Sequence, residues 1–374
     1  MSSLFVDRRD AHLEFDAGAL VFRDNAANGE RIGTVPLAPV SRIFLRGNLT
    51  LQASLLGKLG ELGIGVVVLS GRLGKPGLML GRPHHDARRR VEQTRLSLQR
   101  DFCLDFARQL VHAKLAGQQA WFAELCNQYP QARYPLAHAM HLLQQHQQRL
   151  PQARSLDSLR GLEGAAAAAY FAGLRAVVPE SLNFAQRNRR PPRDPFNVLL
   201  SLTYTLVGAE VAMALHGAGL DPCIGYYHQL SWGRESLACD LLEPLRPLAD
   251  RFCLQLVAQQ TLTADHFSQS SSTSSSTGSS GSGSKNSRST GCLLGKAGRV
   301  RYYRAYEENA APLRRAIADS VEALRQTIGP HGQEAHCPDP DGGDDHGGDD
   351  GDDGDDHGGG SDAEERDEHG DSGA

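Results

Sequence analysis

The chain has 374 residues, with 39 lysine and arginine residues against 44 aspartate and glutamate residues. The charges are segregated: residues 331–374 hold 17 of the acidic residues and one of the basic ones, which leaves residues 1–330 with a net charge of +11. Such a basic body indicates a polyanionic partner. The N-terminus lacks a long apolar run and the seven cysteines form no CxxC pair, so we predict a reduced, cytoplasmic protein without a secretory signal, a disulfide framework or a zinc ribbon.

Residues 1–82 are predicted to form a β-rich domain. Alternating apolar residues and turn signals predict short strands, at residues 12–16, 19–23, 31–37 and 42–45. Residues 51–62 have helical spacing, and residues 64–70 are a buried-strand run. This strand–helix–strand order predicts one crossover appended to the hairpins, and residues 71–77 are expected to close the domain.

Residues 83–330 are predicted to form an all-α domain, which makes the fold class α+β. Apolar periodicity predicts its helices, at residues 87–119, 136–150, 156–174, 197–216, 247–260 and 301–328. Pro247 stands at a plausible first helical position. The uncharged stretch between Asp194 and Glu210 is short for a membrane span, so we predict a buried helix there.

Two segments have compositions that cannot build a core. Residues 268–290 are rich in Ser, Gly and Thr, and we predict a flexible insertion within the helical domain. Residues 331–374 form an acidic Asp/Gly/His tail that is predicted to be disordered. The tail either solubilises the protein or mimics DNA by occupying the basic groove.

Carboxylates and one histidine mark the candidate site. Glu163 lies between Gly161 and Gly164 in a helical pattern, where glycines are unfavourable unless backbone or ligand approaches closely. His228 follows a Gly-Tyr-Tyr turn, where its ring could face a cleft. Taken singly, each of these residues is more simply explained as an ordinary surface or core residue.

Asp240 and Glu243 form a second acidic pair. They are three residues apart and share one helix face, although Pro244 is expected to place Glu243 at a helix end. Together with Glu163 and His228 they suit Mg²⁺ or Mn²⁺ better than zinc, because oxygen ligands dominate. Such an ion would polarise a phosphoryl oxygen and activate water or a sugar hydroxyl.

A basic loop precedes the buried helix. It carries four arginines, at Arg187, Arg189, Arg190 and Arg193, and two prolines that hold it extended. Arginines spaced along an extended segment suit contacts to a phosphate backbone, so we predict DNA binding rather than a merely solvated basic loop.

Four ordered motifs resemble the CRISPR-associated integrase/endonuclease family of spacer acquisition. They are LRGLEG at residues 159–164, RRPPRDPFN at 189–197, GYYH at 225–228 and SLACDLLEPLRP at 236–247. The N-terminal runs LFVD (4–7) and GIGVVVLS (63–70) are also similar to that family. The resemblance implies an N-terminal β-domain that dimerises and a C-terminal all-α catalytic domain that binds Mg²⁺ or Mn²⁺.

The resemblance also implies roles for individual residues. The metal ligands and catalytic residues would be Glu163, His228 and Glu243, with Asp240 adjacent to the metal. The DNA-binding residues would be Arg187, Arg189, Arg190 and Arg246.

The implied reaction is attack by the 3′-hydroxyl of a captured DNA fragment on a phosphodiester of the CRISPR array, which serves antiviral defence. The implied partners are double-stranded and branched DNA, a second copy of the chain, and a small dimeric subunit that bridges two homodimers. Two alternatives stay open on the sequence alone: a non-catalytic DNA-binding scaffold, and a repair nuclease for branched DNA that uses the same residues.

Overall fold

The computed structural model describes residues 2–24, 29–69, 76–79, 87–189, 191–270 and 291–329. Over these residues an N-terminal sheet with one helix is followed by a mostly helical region. This order confirms the predicted α+β class. The predicted domain boundary at residue 82 and the acidic tail of residues 331–374 lie outside the described residues.

The N-terminal sheet is mixed and has the strand order β3-β2-β1-β4-β5-β6. Its strands are β1 (Ser2–Asp16), β2 (Ala19–Arg23), β3 (Arg31–Pro36), β4 (Val40–Leu51), β5 (Gly65–Leu69) and β6 (Pro76–Met79). Strands β4 and β5 are parallel and are joined by helix α1 (Ala53–Glu61), so the predicted crossover is confirmed. Strand β1 begins ten residues earlier than predicted, because its first half pairs with β4.

The helical region begins at Arg88. Its helices are α2 (Arg88–Ser97), α3 (Arg100–Gln128), α4 (Arg133–Arg149), α5 (Leu156–Arg175), α6 (Pro195–Gly217), α7 (Ser236–Ala258), α8 (Lys296–Asn309) and α9 (Ala311–Ile328). The predictions of one helix at residues 87–119 and one at residues 301–328 were wrong, because each range holds parts of two helices. The first is broken at Leu98 and Gln99, and the second at Ala310, where Pro312 in the first turn of α9 prevents continuation from α8.

Helix α6 lies in the core. Asp194 caps it by accepting a hydrogen bond from the Asn197 N–H at 2.9 Å, and most of its side chains are buried. By length and composition it is the one helix among the described residues that could cross a membrane, yet 61% of its most apolar window is buried inside the protein. This is the environment that the sequence predicts for it.

The Ser-rich insertion begins as a strand. Residues 268–270, predicted to be flexible, belong to β7 (Phe267–Ser270), which pairs antiparallel with β8 (Gly291–Leu294). The prediction was wrong for these three residues, because the ladder with β8 satisfies their backbone groups. Residues 271–290 lie outside the described part of the chain.

The sheet and the helices belong to one compact unit. The Phe5 ring stacks between those of Phe44 and Tyr303, with centroids 4.6 Å apart in both cases. Arg299 Nε donates to Asp7 at 2.5 Å. These contacts fix the sheet against α8, outside the region in which the candidate site residues lie.

Candidate active site

Three helices bring two carboxylates onto one lysine. Lys114 Nζ, on α3, donates to Glu163 Oε1 on α5 at 2.5 Å and to Glu243 Oε2 on α7 at 2.6 Å. The lysine side chain is 9% exposed, so water screens these ion pairs weakly. Helices α3 and α7 approach closely at Gly117, where a Cβ would lie 3.3 Å from Pro247 Cγ. Two of the predicted metal ligands therefore share a single cation.

Glu243 lies inside a helix and not at its end. The predictions that Pro244 would stop a helix before it and that Pro247 would start a new one were wrong, because α7 runs through both prolines. Each proline removes one backbone donor from the helix. Packing of α7 between α3 and α6 offsets this loss and buries Glu243. The continuous helix places Asp240 and Glu243 on one face, as their spacing predicts.

Arg246 binds Glu243 from the next turn of α7. Its Nε and Nη2 donate to the two oxygens of the carboxylate at 2.8 and 2.9 Å. Burial raises the pKa of Glu243, but the positive charges of Arg246 and Lys114 outweigh it and hold that pKa well below its ordinary value. Glu243 is therefore a carboxylate throughout the physiological pH range.

Asp240 organises the turn that carries His228. Its Oδ2 accepts the N–H groups of Tyr226 and Tyr227 at 2.7 and 3.0 Å, and its Oδ1 accepts the His228 N–H at 2.8 Å. The same Oδ1 lies 2.7 Å from His228 Nδ1. A Cβ at Gly225 would lie 2.9 Å from Oδ2, so only glycine lets the turn approach the carboxylate this closely. Asp240 thus orients the imidazole and leaves Nε2 free of protein hydrogen bonds within the described residues.

Tyr227 connects this turn to α5. Its hydroxyl donates to Glu163 Oε2 at 2.5 Å, and Arg160 Nη2 donates to the Tyr227 carbonyl at 2.9 Å. Burial and the charge of Glu163 raise the pKa of Tyr227 well above its ordinary value, so the hydroxyl stays a donor. Apart from neighbouring backbone of α5 itself, no described atom lies within 4 Å of a Cβ placed at Gly161 or Gly164. The idea of a close backbone approach there was wrong, and a ligand beside these glycines stays a prediction.

Asp250 is a further buried carboxyl group on the helix that carries Asp240 and Glu243. Asp250 on α7 accepts hydrogen bonds from the hydroxyls of Tyr204 and, at 2.8 Å, Tyr170. The guanidinium carbon of Arg246 lies 4.3 Å from the centre of the Tyr204 ring, and that of Arg187 lies 5.6 Å from it. Burial raises the pKa of Asp250 to about 6. Tyr204 therefore links Asp250 to Arg246, the arginine that binds Glu243.

The predicted DNA-binding arginines have different surroundings. Arg187 turns inward and donates to Asn197 Oδ1 at 2.7 Å, and Arg246 is engaged by Glu243. Arg189 is exposed, and Arg190 lies outside the described residues. DNA contact by these four residues stays a prediction, with Arg189 the most accessible of the three that are described.

The sequence did not single out Lys114, Tyr204 or Asp250. One signal for the lysine was available, because it interrupts a run of buried apolar residues on α3 that includes Leu110, Val111 and Leu115. Over the described residues, no cluster of three or more His, Cys, Asp or Glu side chains is arranged to hold a metal ion. The carboxylates instead meet at the lysine, and ligation by Glu163, His228 and Glu243 stays a prediction.

Comparisons with known proteins agree on one family. The family described as CRISPR associated protein Cas1 matches residues 4–308. One similar relative is a CRISPR-associated endonuclease Cas1 of Thermodesulfovibrio yellowstonii, which is 36% identical over 88% of this chain and 97% of its own length.

Solved structures share the fold at lower identity. A casposase bound to integration product has a TM-score of 0.73 at 19% identity, over 88% of this chain and 90% of its own. A Cas1 protein from Thermotoga maritima has a TM-score of 0.72 at 21% identity, over 88% of this chain and 97% of its own. A Cas6-RT-Cas1–Cas2 complex has a TM-score of 0.69 at 23% identity, over 87% of this chain and 35% of its own.

Proposed function

This chain belongs to the CRISPR-associated Cas1 family, and from that membership we propose that it is a metal-dependent DNA integrase/endonuclease that inserts captured DNA fragments into a CRISPR array. The observation that carries the proposal is the convergence of Glu163 and Glu243 on one buried cation, together with the hydrogen bond from Tyr227, the residue before the oriented His228, to Glu163. Relatives named as endonucleases, and the shared fold of a casposase bound to integration product, support the same chemistry.

Carboxylate oxygens and one imidazole nitrogen are donor types that suit Mg²⁺ or Mn²⁺. Two carboxylates already share the ammonium of Lys114, which stands in for a cation at that point. Asp240 holds Nδ1 of His228 as the protonated nitrogen, which leaves a lone pair on Nε2 for a metal. Glu163, Glu243 and His228 would hold the ion. When bound, it would activate the attacking hydroxyl and polarise the phosphoryl oxygen.

Side chains of the protein itself would position the DNA and neutralise the negative charge of its phosphates. Lys114 and Arg246 place two positive charges beside the carboxylates, where negative charge develops on a phosphodiester under attack. Asp240 and Tyr227 fix the turn that carries His228, so that Nε2 needs no reorientation on binding. The basic charge of residues 1–330 suits double-stranded and branched DNA.

The proposal includes protein partners. We propose a small bridging subunit, because a structure with the same fold is a Cas6-RT-Cas1–Cas2 complex. We further propose that this subunit is dimeric and that the chain forms a homodimer, as the family resemblance implies. The protein would act in the cytoplasm, where the array lies.

The test is a strand-transfer assay. Purified protein is incubated with labelled branched DNA that resembles a half-integrated fragment, with Mn²⁺, Mg²⁺ or EDTA. We expect metal-dependent joining of the labelled 3′ end that is lost in His228→Ala and kept in His141→Ala, a matched change at an exposed histidine of α4. Cleavage without joining would favour the repair nuclease. Tight binding without reaction under either metal would favour the scaffold.

A further inference from the structure

The loop after His228 presents two large apolar side chains to solvent. Residues 229–235 join the His228 turn to α7, and within them Trp232 is 100% exposed and Leu230 is 68% exposed. An indole is among the largest apolar surfaces a side chain can bury. Two large apolar side chains this exposed within one short loop form an apolar patch, and such patches mark interaction surfaces.

The tryptophan stands on a defined turn. The Arg234 N–H donates to the Ser231 carbonyl at 3.0 Å, and Gly233 has φ +61°. Trp232 therefore occupies the second position of a tight turn whose third position requires glycine. Ser236 Oγ donates to the carbonyl of residue 229 at 3.1 Å and fixes the other end of the loop. The chain thus holds the indole outward at the tip of the loop.

The position of the loop connects it to the reacting site. Trp232 lies four positions after His228 in the chain, and four residues span at most about 14 Å. This distance corresponds to roughly four nucleotide steps of a duplex strand. The neighbouring Arg234 is exposed and forms no ion pair with any described residue. An aromatic ring beside an unpaired cation complements a nucleobase and its phosphate.

We propose that Trp232 stacks on an unpaired base of the DNA strand beside the reacting phosphodiester, while Arg234 contacts the adjacent phosphate. The inference rests on the proposed DNA reaction and adds a base-binding position to it. An indole stacks on any base, so the position selects unpaired or easily unpaired DNA and not a sequence. Branched DNA offers such bases at its junction.

The chain offers a direct spectroscopic test. It has two tryptophans, and Trp121 is buried, so a Trp121→Phe variant leaves Trp232 as the sole indole reporter. In EDTA, this variant is titrated with branched DNA that carries unpaired junction bases and with a fully paired duplex of equal length. We expect strong quenching by the branched DNA and little by the duplex. If Trp121→Phe does not fold, 2-aminopurine at the junction reports the same contact in the unmodified protein.

Affinity provides the second readout. Trp232→Ala is expected to weaken binding of the branched DNA by roughly 5- to 150-fold, the range measured for loss of one base–aromatic stack. Trp232→Phe should keep most of the affinity, and Tyr134→Ala, at another exposed aromatic residue on α4, should keep all of it.

Two results would overturn the stacking proposal. One is saturating DNA binding without any change in Trp232 emission. The other is an emission shift that follows protein concentration without DNA, which would place a second copy on the indole. Either result with intact strand transfer refutes the stacking alone, whereas failure to bind or join any DNA refutes the proposed function itself.

Discussion

Replacing Lys114 with methionine removes the cation that Glu163 and Glu243 share. The change keeps a long, flexible side chain but deletes two charged hydrogen bonds of 2.5 and 2.6 Å. Breaking a buried ion pair by removing one partner costs about 3–5 kcal/mol. In the variant, Glu243 still has its ion pair with Arg246, and the Glu163 side chain is 17% exposed and so partly solvated. We therefore expect a loss of unfolding free energy at the low end of this range, about 3 kcal/mol.

The assay is urea unfolding followed by circular dichroism in EDTA, with Lys58→Met as the control. Lys58 pairs with Glu61 at 2.8 Å on the surface, where both side chains are well exposed. Loss of such a pair changes stability by about 0–1 kcal/mol. The comparison therefore separates the removal of a buried shared cation from the removal of any lysine.

Adding Mn²⁺ extends the test. A cation that binds the folded state at 100 times its Kd stabilises it by about 2.7 kcal/mol. In Lys114→Met the two carboxylates lack a counter-ion, so we expect a larger Mn²⁺-induced rise in unfolding free energy than in the wild type. A variant as stable as Lys58→Met in EDTA would show that Lys114 is not the counter-ion that the two carboxylates share. If Mn²⁺ stabilises neither protein, the carboxylates do not form a metal site.

Three further changes test other contacts of the site. Gly225→Ala puts a Cβ 2.8 Å from the backbone of residue 236. Overpacking of this kind should lower the unfolding free energy by about 1–3 kcal/mol. Gly217→Ala, with open space around the new methyl group, is the control. Asp240→Asn should weaken Mn²⁺ binding, measured by calorimetry, by roughly 10- to 100-fold, because it loosens the orientation of the imidazole; an unchanged Kd would contradict the role of Asp240. Burial raises the pKa of Asp250 from 3.8 to about 6. Between these two pH values the folded state keeps a proton that the unfolded state has released, so the free energy of unfolding of the wild type should fall by about 2 kcal/mol from pH 4 to 7. In Asp250→Asn this loss should disappear, and equal pH profiles of the two proteins would show that Asp250 does not titrate as described.

The sequence was sufficient for the fold class and for the family. Alternation and turn residues predicted the N-terminal strands, and the ordered motifs around Glu163, His228 and Glu243 predicted the family. Local patterns could not predict that α7 continues through Pro244 and Pro247, because packing against α3 and α6 overrides the local preference of proline. The long β1 was missed for a similar reason, since its first half depends on pairing with a distant strand.

The contacts of the candidate site were also beyond what local sequence patterns could predict. Asp240 was predicted to support the metal position, but its hydrogen bonds to three successive N–H groups follow from the tight approach at Gly225, which has no sequence pattern of its own. Lys114 lies about 50 residues from Glu163 in sequence and meets it only through the packing of α3 against α5. Contacts between distant helices of this kind come from the tertiary structure alone.

The proposed metal site is tested most directly by locating bound Mn²⁺ through anomalous X-ray scattering from crystals grown with the ion. We expect a peak within ligand distance of Glu163 and Glu243 carboxylate oxygens and of His228 Nε2, with the Lys114 ammonium moved away from the shared oxygens. A protein that joins DNA in Mn²⁺ while its ion binds elsewhere, with Lys114 still between the two carboxylates, would show that these residues do not form the metal site.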